Sequence, residues 1–192
     1  MLQSANSPST VTRKGKPVVP LKHRQECPSA QKLFADIMAN HDFSPIVRTL
    51  VRERVATNKK EATELIKAFA QWYATGSVTK TKSYVMFVGE VDEVLHAMIL
   101  NSKWYMTFCY RTTGVYTHHE PIGETGLKDD EVVEAAMFTA RLLERTWGEG
   151  LSVYLKGHVE NAKHGTSLAS SVSCVGNDGP FDIVPIEDLR EA

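Results

Sequence analysis

Three imidazoles and one thiol lie between Glu90 and Pro121, in a segment that is otherwise rich in apolar residues. They are His96, Cys109, His118 and His119. Imidazole and thiolate are the ligands that zinc prefers, at about 2.0–2.3 Å, and one site needs three or four of them. The spacing H-x12-C-x8-H-H is not a recognised compact zinc pattern, so the residue types alone do not establish a site.

Whether these residues can meet depends on the backbone between them. On one unbroken α-helix, His96 and Cys109 would be separated by about 20 Å of rise and well over ~90° of rotation. However, Asn101-Ser102 is typical of a helix N-cap. A break there predicts two short helices, 92–100 and 103–112, that fold towards each other.

Gly114 predicts a turn after the second helix, which returns the pair His118-His119 towards the helix ends. We therefore expect one cluster of His96, Cys109 and the His118-His119 turn. Hydrogen bonds and packing are the favoured interpretation, with Cys109 as a small buried residue and Asp92 as a helix cap. A zinc ion held by His96, Cys109, His118 and His119 is the alternative, and no other cofactor is expected.

Nucleophilic catalysis is a weaker alternative. A thiol–imidazole arrangement would use Cys109 with His118 or His119, and Asp92 or Glu120 would orient the imidazole. The helical Phe108-Cys109 pair is predicted to be buried, and burial in apolar surroundings raises the pKa of a thiol. An enzyme is therefore less favoured than a protein without catalytic activity.

The elements around the cluster have helical periodicity. Apolar residues recur with this period from residue 29 to residue 150, with Asn58 and Glu61 in capping-box spacing before the most regular stripe. The stretch Ser83–Gly89 is β-prone but short, and we interpret it as a buried connector, with a strand as the alternative. One core is predicted from seven residues: Leu50, Leu65, Phe69, Val94, Phe108, Phe138 and Leu142.

The predicted fold class is all-α, a compact bundle of about four to six helices. An extended basic arm spans residues 1–28, the helical domain spans 29–150, and an irregular tail spans 151–192. Pro8, Pro17 and Pro20 interrupt any helix in the arm, and apolar periodicity is lost beyond about Leu151.

Composition limits the class of protein further. The chain has 192 residues and a formal net charge of −1, so the overall charge does not indicate a nucleic acid or an acidic membrane as partner. The cysteines Cys27, Cys109 and Cys174 are odd in number and widely spaced, which argues against a disulfide framework. Without a membrane span or a secretory signal, we expect a cytoplasmic protein, or one of the host cytoplasm or virion if it is viral.

Cations are concentrated in the arm, where residues 1–26 hold five of them against a single acid, Glu26. Phosphate contacts are the chemistry that such a basic arm offers, but no aromatic residue accompanies the cations for base stacking. We favour an arm that is solvated or bound to a protein partner over one that binds nucleic acid. The five residues are Arg13, Lys14, Lys16, Lys22 and Arg24.

The order of the central motifs resembles a known signature. VDEV-L-H-A-x-I-L is followed by x-x-Y-x-x-F-C and then by G-x-Y-x-H-H-x-P. This resembles the glycine-rich domain-containing protein family, which includes plant proteins and small bacterial and viral relatives. The resemblance covers roughly Ile46 to Gly150 and rests on these residues: Asp92, His96, Tyr105, Phe108, Cys109, Gly114, His118, His119 and Pro121.

Two positions depart from the family pattern, because Leu95 stands where the family usually has Trp and Met98 where it usually has a second His. If the two family histidines share a chemical role, Met98 weighs against a metal. The resemblance implies a fold and the place of a site, a motif cluster of Asp92, His96, Tyr105, Cys109, His118 and His119. It implies no reaction.

From the sequence we therefore expect a small intracellular helical module for interaction or assembly. Its arm and tail would contact protein partners or other copies of the chain, and it would not bind a membrane. Tails on a compact domain would also suit a structural or accessory protein of a virus or phage. The alternatives are a zinc enzyme centred on the His/Cys cluster and a nucleic-acid-binding accessory protein that uses the basic arm.

Overall fold

A computed structural model describes residues 29–79, 84–121 and 127–163, together with the backbone of a strand at 172–176. The predicted arm at 1–28 lies outside the described residues. So do Cys27 and the arm cations Arg13, Lys14, Lys16, Lys22 and Arg24.

Helices dominate the described residues, and the predicted all-α class is confirmed. The described ranges contain seven α-helices, one more than the upper end of the predicted range, and a 3-10 turn at Gly148–Gly150. The α-helices are α1 Ala30–Asn40, α2 Ser44–Arg52, α3 Lys59–Val78, α4 Glu90–Leu100, α5 Ser102–Thr113, α6 Asp129–Trp147 and α7 Val153–Lys163. No helix in the described ranges combines the length and apolar character needed to cross a membrane.

Helix α3 lies at the centre of the core and contacts α1, α2, α4, α6 and α7. Its N-terminus is capped by the Asn58 side chain, which accepts a hydrogen bond from the Glu61 backbone at 3.0 Å. The Glu61 carboxylate in turn accepts from the Thr57 backbone at 2.7 Å. Both contacts satisfy backbone donors that a helix start leaves unpaired. Leu65 and Phe69 on this helix are fully buried, as predicted.

The predicted break between α4 and α5 is confirmed at Asn101, where the helical backbone is interrupted. The Asn101 amide donates to the Ala97 carbonyl at 2.8 Å and to Thr49 Oγ1 at 3.1 Å, which anchors the bend against α2. Helix α5 then ends at Thr113, and the next residue, Gly114, has a φ of +78° in the left-handed region that favours glycine. Two short helices and a turn therefore replace one long helix.

Three short strands form an antiparallel sheet that the sequence analysis did not predict. They are β1 Tyr84–Phe87, β2 Glu120–Pro121 and β3 Val172–Gly176, in the order β1-β3-β2. The segment interpreted as a connector is thus strand β1, with Tyr84 opposite Gly176 and Val85 opposite Val175. Its four residues are buried.

The core does not end at residue 150, which corrects the predicted tail boundary. Helix α7 packs against α6 and buries Leu155, Val159 and Ala162. The core face of α6 also differs from the prediction, because Phe138 and Leu142 are only half-buried. Small residues such as Ala136 and Thr139 occupy the inner face of α6 instead, which permits close approach to its neighbours.

Candidate metal site on helix α4

Helix α4 positions the first two side chains of the site. Asp92 and His96 are four residues apart, so they lie on the same face of the helix. Asp92 is buried, with 5% of its surface exposed, whereas the His96 side chain is 42% exposed. The site therefore has a buried carboxylate and an imidazole at the protein surface. Asp92 is not the cap predicted from the sequence, because the N-cap of α4 is Gly89.

The turn after α5 brings in the third side chain, His119. Two buried tyrosines hold this turn through Thr117, the residue two positions before the histidine. Tyr105 Oη donates to the Thr117 carbonyl at 2.7 Å, and Tyr73 Oη lies 3.1 Å from Thr117 Oγ1. Burial raises the pKa of both tyrosines far above their usual range, so both hydroxyls stay protonated.

The three side chains converge at short distances. His96 Nε2 lies 3.1 Å from His119 Nε2, with ring centroids 4.9 Å apart. Asp92 Oδ1 lies 3.6 Å from His119 Nε2, and Asp92 Oδ2 lies 3.9 Å from His96 Nε2. Two ligands of a tetrahedral zinc ion are separated by roughly 3.3 Å when each bond is about 2.0–2.1 Å long. The observed distances fit a shared ion after small side-chain adjustments.

The burial of the Asp92 carboxylate also favours a cation at this site. Its Oδ1 atom is buried and has no hydrogen-bond partner among the described residues. A buried charge is costly unless it is paired or coordinates a metal. The neighbouring atoms that face Asp92 are imidazole nitrogens, which are themselves metal ligands. A cation between the three side chains would offset the cost of burying the carboxylate.

The structure places two of the predicted ligands outside this group. The metal-ligating atoms of Asp92, His96 and His119 all lie within 4.8 Å of one another, and neither Cys109 nor His118 belongs to the set. Cys109 is fully buried in the core. Burial raises the pKa of its thiol, which opposes the thiolate form that a zinc ligand or a nucleophile requires.

His118 points to the protein surface although it is adjacent to His119. Its ring contacts Tyr116, with the centroids 4.8 Å apart, and its side chain is exposed. Residues in an extended segment alternate in direction, so only one histidine of the pair faces α4. His119 is that residue.

Met98 does not weigh against a metal in the way the sequence suggested. It is fully buried in the core. Two residues along a helix correspond to about 200° of rotation, so position 98 lies on the opposite side of α4 from His96. A histidine at position 98 could not join Asp92 and His119, and the departure from the family pattern removes no ligand from this site.

Asp92 is the ligand candidate that sequence reasoning missed. It was assigned to the motif cluster and to a helix cap, but not to the set of metal ligands. The signal was its spacing, because a carboxylate and an imidazole at positions i and i+4 share one helix face. The position of His119 opposite them depends on the turn after α5 and on contacts that are distant in sequence.

Comparison with protein families and known proteins adds no assignment, since no family model, no curated protein and no solved structure matches this chain. The resemblance to the glycine-rich domain-containing family stays a prediction.

Proposed function

We propose that this chain is a metal-binding helical domain in which Asp92, His96 and His119 hold one divalent transition-metal ion. The observation that carries the proposal is the buried Asp92 Oδ1, which lies without a hydrogen-bond partner 3.6 Å from His119 Nε2. Two imidazoles and a carboxylate form a nitrogen–oxygen donor set that suits zinc, iron or nickel. Zinc is the first ion to test.

A bound ion would connect two parts of the chain. Asp92 and His96 belong to α4, whereas His119 directly precedes β2, which pairs with β3. The ion would therefore fix the segment between α5 and β2 against α4, and binding energy would appear as stability of the folded protein. The exposed side of the site is that of His96, which gives the ion a route from solvent.

Zinc titration by calorimetry after treatment with a chelator tests the proposal. We expect one zinc ion per chain in the wild type and a large loss of affinity in Asp92→Asn, His96→Ala and His119→Ala. His118→Ala is the matched control, because it removes the adjacent exposed imidazole and should bind zinc like the wild type. Absence of binding, or equal losses in His118→Ala and His119→Ala, would contradict the proposal.

The interaction or assembly role is retained as a separate proposal, as is nucleic-acid binding by the arm. The first rests on the arm and the C-terminal tail, and the second on the arm alone, residues 1–28, which are rich in proline and cations. Deleting these residues should leave the helical domain folded while weakening self-association or partner binding. A salt titration of binding to a generic oligonucleotide distinguishes the two roles, because phosphate contacts weaken steeply with salt.

A further inference from the structure

His96 has a second carboxylate beside it, at the ring nitrogen that does not face His119. Glu93 Oε2 lies 3.6 Å from His96 Nδ1, whereas His96 Nε2 lies 3.1 Å from His119 Nε2. Glu93 precedes His96 by three residues on α4, a spacing that keeps the two side chains on one face. One ring nitrogen of His96 therefore faces Glu93, and the other faces the proposed metal ligands.

A carboxylate beside the second ring nitrogen is typical of histidines that bind a metal ion. An imidazole that binds a metal through Nε2 carries its proton on Nδ1, and a carboxylate that accepts this N–H fixes both the tautomer and the ring orientation. The Glu93 side chain is 53% exposed and so has room to rotate. Such a rotation would shorten 3.6 Å to hydrogen-bond distance.

The charges at the proposed site also favour a role for Glu93. A divalent ion with the Asp92 carboxylate and two neutral imidazoles carries a net charge of about +1. The Glu93 carboxylate would bring the local charge close to zero. Glu93 is also in the first turn of α4, where a negative charge is favoured by the helix dipole.

We infer that Glu93 is the positioning residue of the metal site. It accepts the Nδ1–H of His96 and so keeps the Nε2 lone pair directed at the ion. Glu93 itself does not touch the ion. This inference rests on the proposed function, and it adds the residue that prepares the site before the ion arrives.

Glu93→Gln tests the role, with Glu90→Gln as the matched control. Both glutamates are exposed residues in the first turn of α4, so the two substitutions change the net charge and the helix dipole alike. In a zinc titration of the full chain, Glu93→Gln should weaken binding by about 10–100-fold, the range typical of lost outer-shell partners. Glu90→Gln removes the same charge but not the carboxylate beside His96, so it should change the affinity by less than about threefold.

A second readout separates positioning from a general effect on the fold. Nitrogen-15 NMR of the metal-free chain should show His96 protonated at Nδ1 in the wild type and in Glu90→Gln. In Glu93→Gln the population should shift towards the Nε2-protonated tautomer, at a melting temperature close to that of Glu90→Gln.

The possible outcomes distinguish the two claims. Equal zinc affinity in Glu93→Gln and Glu90→Gln, or an unchanged His96 tautomer, overturns the role of Glu93 and leaves the metal site standing. A wild-type chain that binds no zinc overturns the proposed function and this inference with it.

Discussion

At the scale of single residues, the main feature is a buried carboxylate with one oxygen that no described residue satisfies. Asp92 Oδ1 has no hydrogen-bond partner among the described residues, although it lies 3.6 Å from His119 Nε2, and Asp92 Oδ2 lies 3.9 Å from His96 Nε2. Such a group costs stability in the absence of a cation, on the order of 1–3 kcal/mol or more. Proteins retain costs of this kind at functional sites.

Replacing Asp92 with Asn should therefore separate metal binding from folding. We expect the metal-free variant to be at least as stable as the metal-free wild type, because a buried charge is removed. Added zinc should raise the free energy of unfolding of the wild type but not of the variant. Urea unfolding with chelator and with zinc measures both effects. A loss above about 1 kcal/mol in the metal-free variant would mean that Asp92 serves the fold and not an ion.

Single residues also show how far the sequence predicts the site. The approach of His96 and His119 was predicted from two local signals, the break at Asn101 and the turn at Gly114, although distant contacts such as that of Tyr73 with Thr117 also hold the turn. The burial of Cys109 was predicted from the sequence and is confirmed. Its separation from the site could not be predicted in this way, because that depends on which face of α5 the core covers. The Phe108-Cys109 side of α5 lies inside, so the thiol is on the wrong face for the site.

At the scale of elements, a hydrogen bond from α5 positions the turn that carries His119. In Tyr105→Phe the buried Thr117 carbonyl loses its donor, with an expected cost of about 1–3 kcal/mol. Zinc affinity should fall as well, because His119 is less firmly placed. Tyr110→Phe removes an exposed hydroxyl from the same helix and serves as the control. Unfolding curves and zinc titrations that do not differ between the two variants would contradict this role.

Helix α7 belongs to the core, although its sequence was assigned to a tail. Leu155 is fully buried, so Leu155→Ala should cost about 2–5 kcal/mol. Val153→Ala, at an exposed position in the first turn of the same helix, should stay within about 0.5 kcal/mol of the wild type. Chemical denaturation measures both. If both variants are as stable as the wild type, α7 contributes nothing to the core.

There are physical reasons why helix α7 and the sheet were not predicted from the sequence. The buried residues of α7 do have helical spacing, at Leu155, Val159 and Ala162, but this stripe is short and Gly157 lies within it. The sheet was hidden because Tyr84 pairs with Gly176, far along the chain, and β2 has only two residues. Local periodicity carries no information about such a pairing.

At the scale of the whole molecule, stability should depend on pH through a partly buried histidine. Burial, with a smaller contribution from Arg111, lowers the pKa of His41 below its ordinary value of 6.5. The unfolded chain then binds a proton more readily than the folded chain. The stability that neutral His41 contributes is fully present above about pH 6.5, and it is lost as the pH falls from there through the lower pKa of the folded chain. His158 shifts in the same direction, mainly because of burial.

Urea unfolding of the metal-free protein at pH 7.5 and pH 5.5 checks this dependence. We expect a lower free energy of unfolding at pH 5.5, and a smaller difference between the two pH values in His41→Gln. His118→Gln is a suitable control, since His118 is exposed. Equal pH dependence in the wild type and both variants would show that His41 does not contribute.

In the proposed site two imidazoles and one carboxylate bind a metal ion, without the buried thiol. Cobalt(II) absorption spectroscopy is the decisive experiment, because cobalt reports both the stoichiometry and the identity of its ligands. We predict visible bands that saturate at one equivalent, that are lost in His119→Ala and retained in His118→Ala, and that lack a thiolate charge-transfer band. An absence of bands would contradict the metal site, and a thiolate band lost in Cys109→Ser would contradict the ligand set.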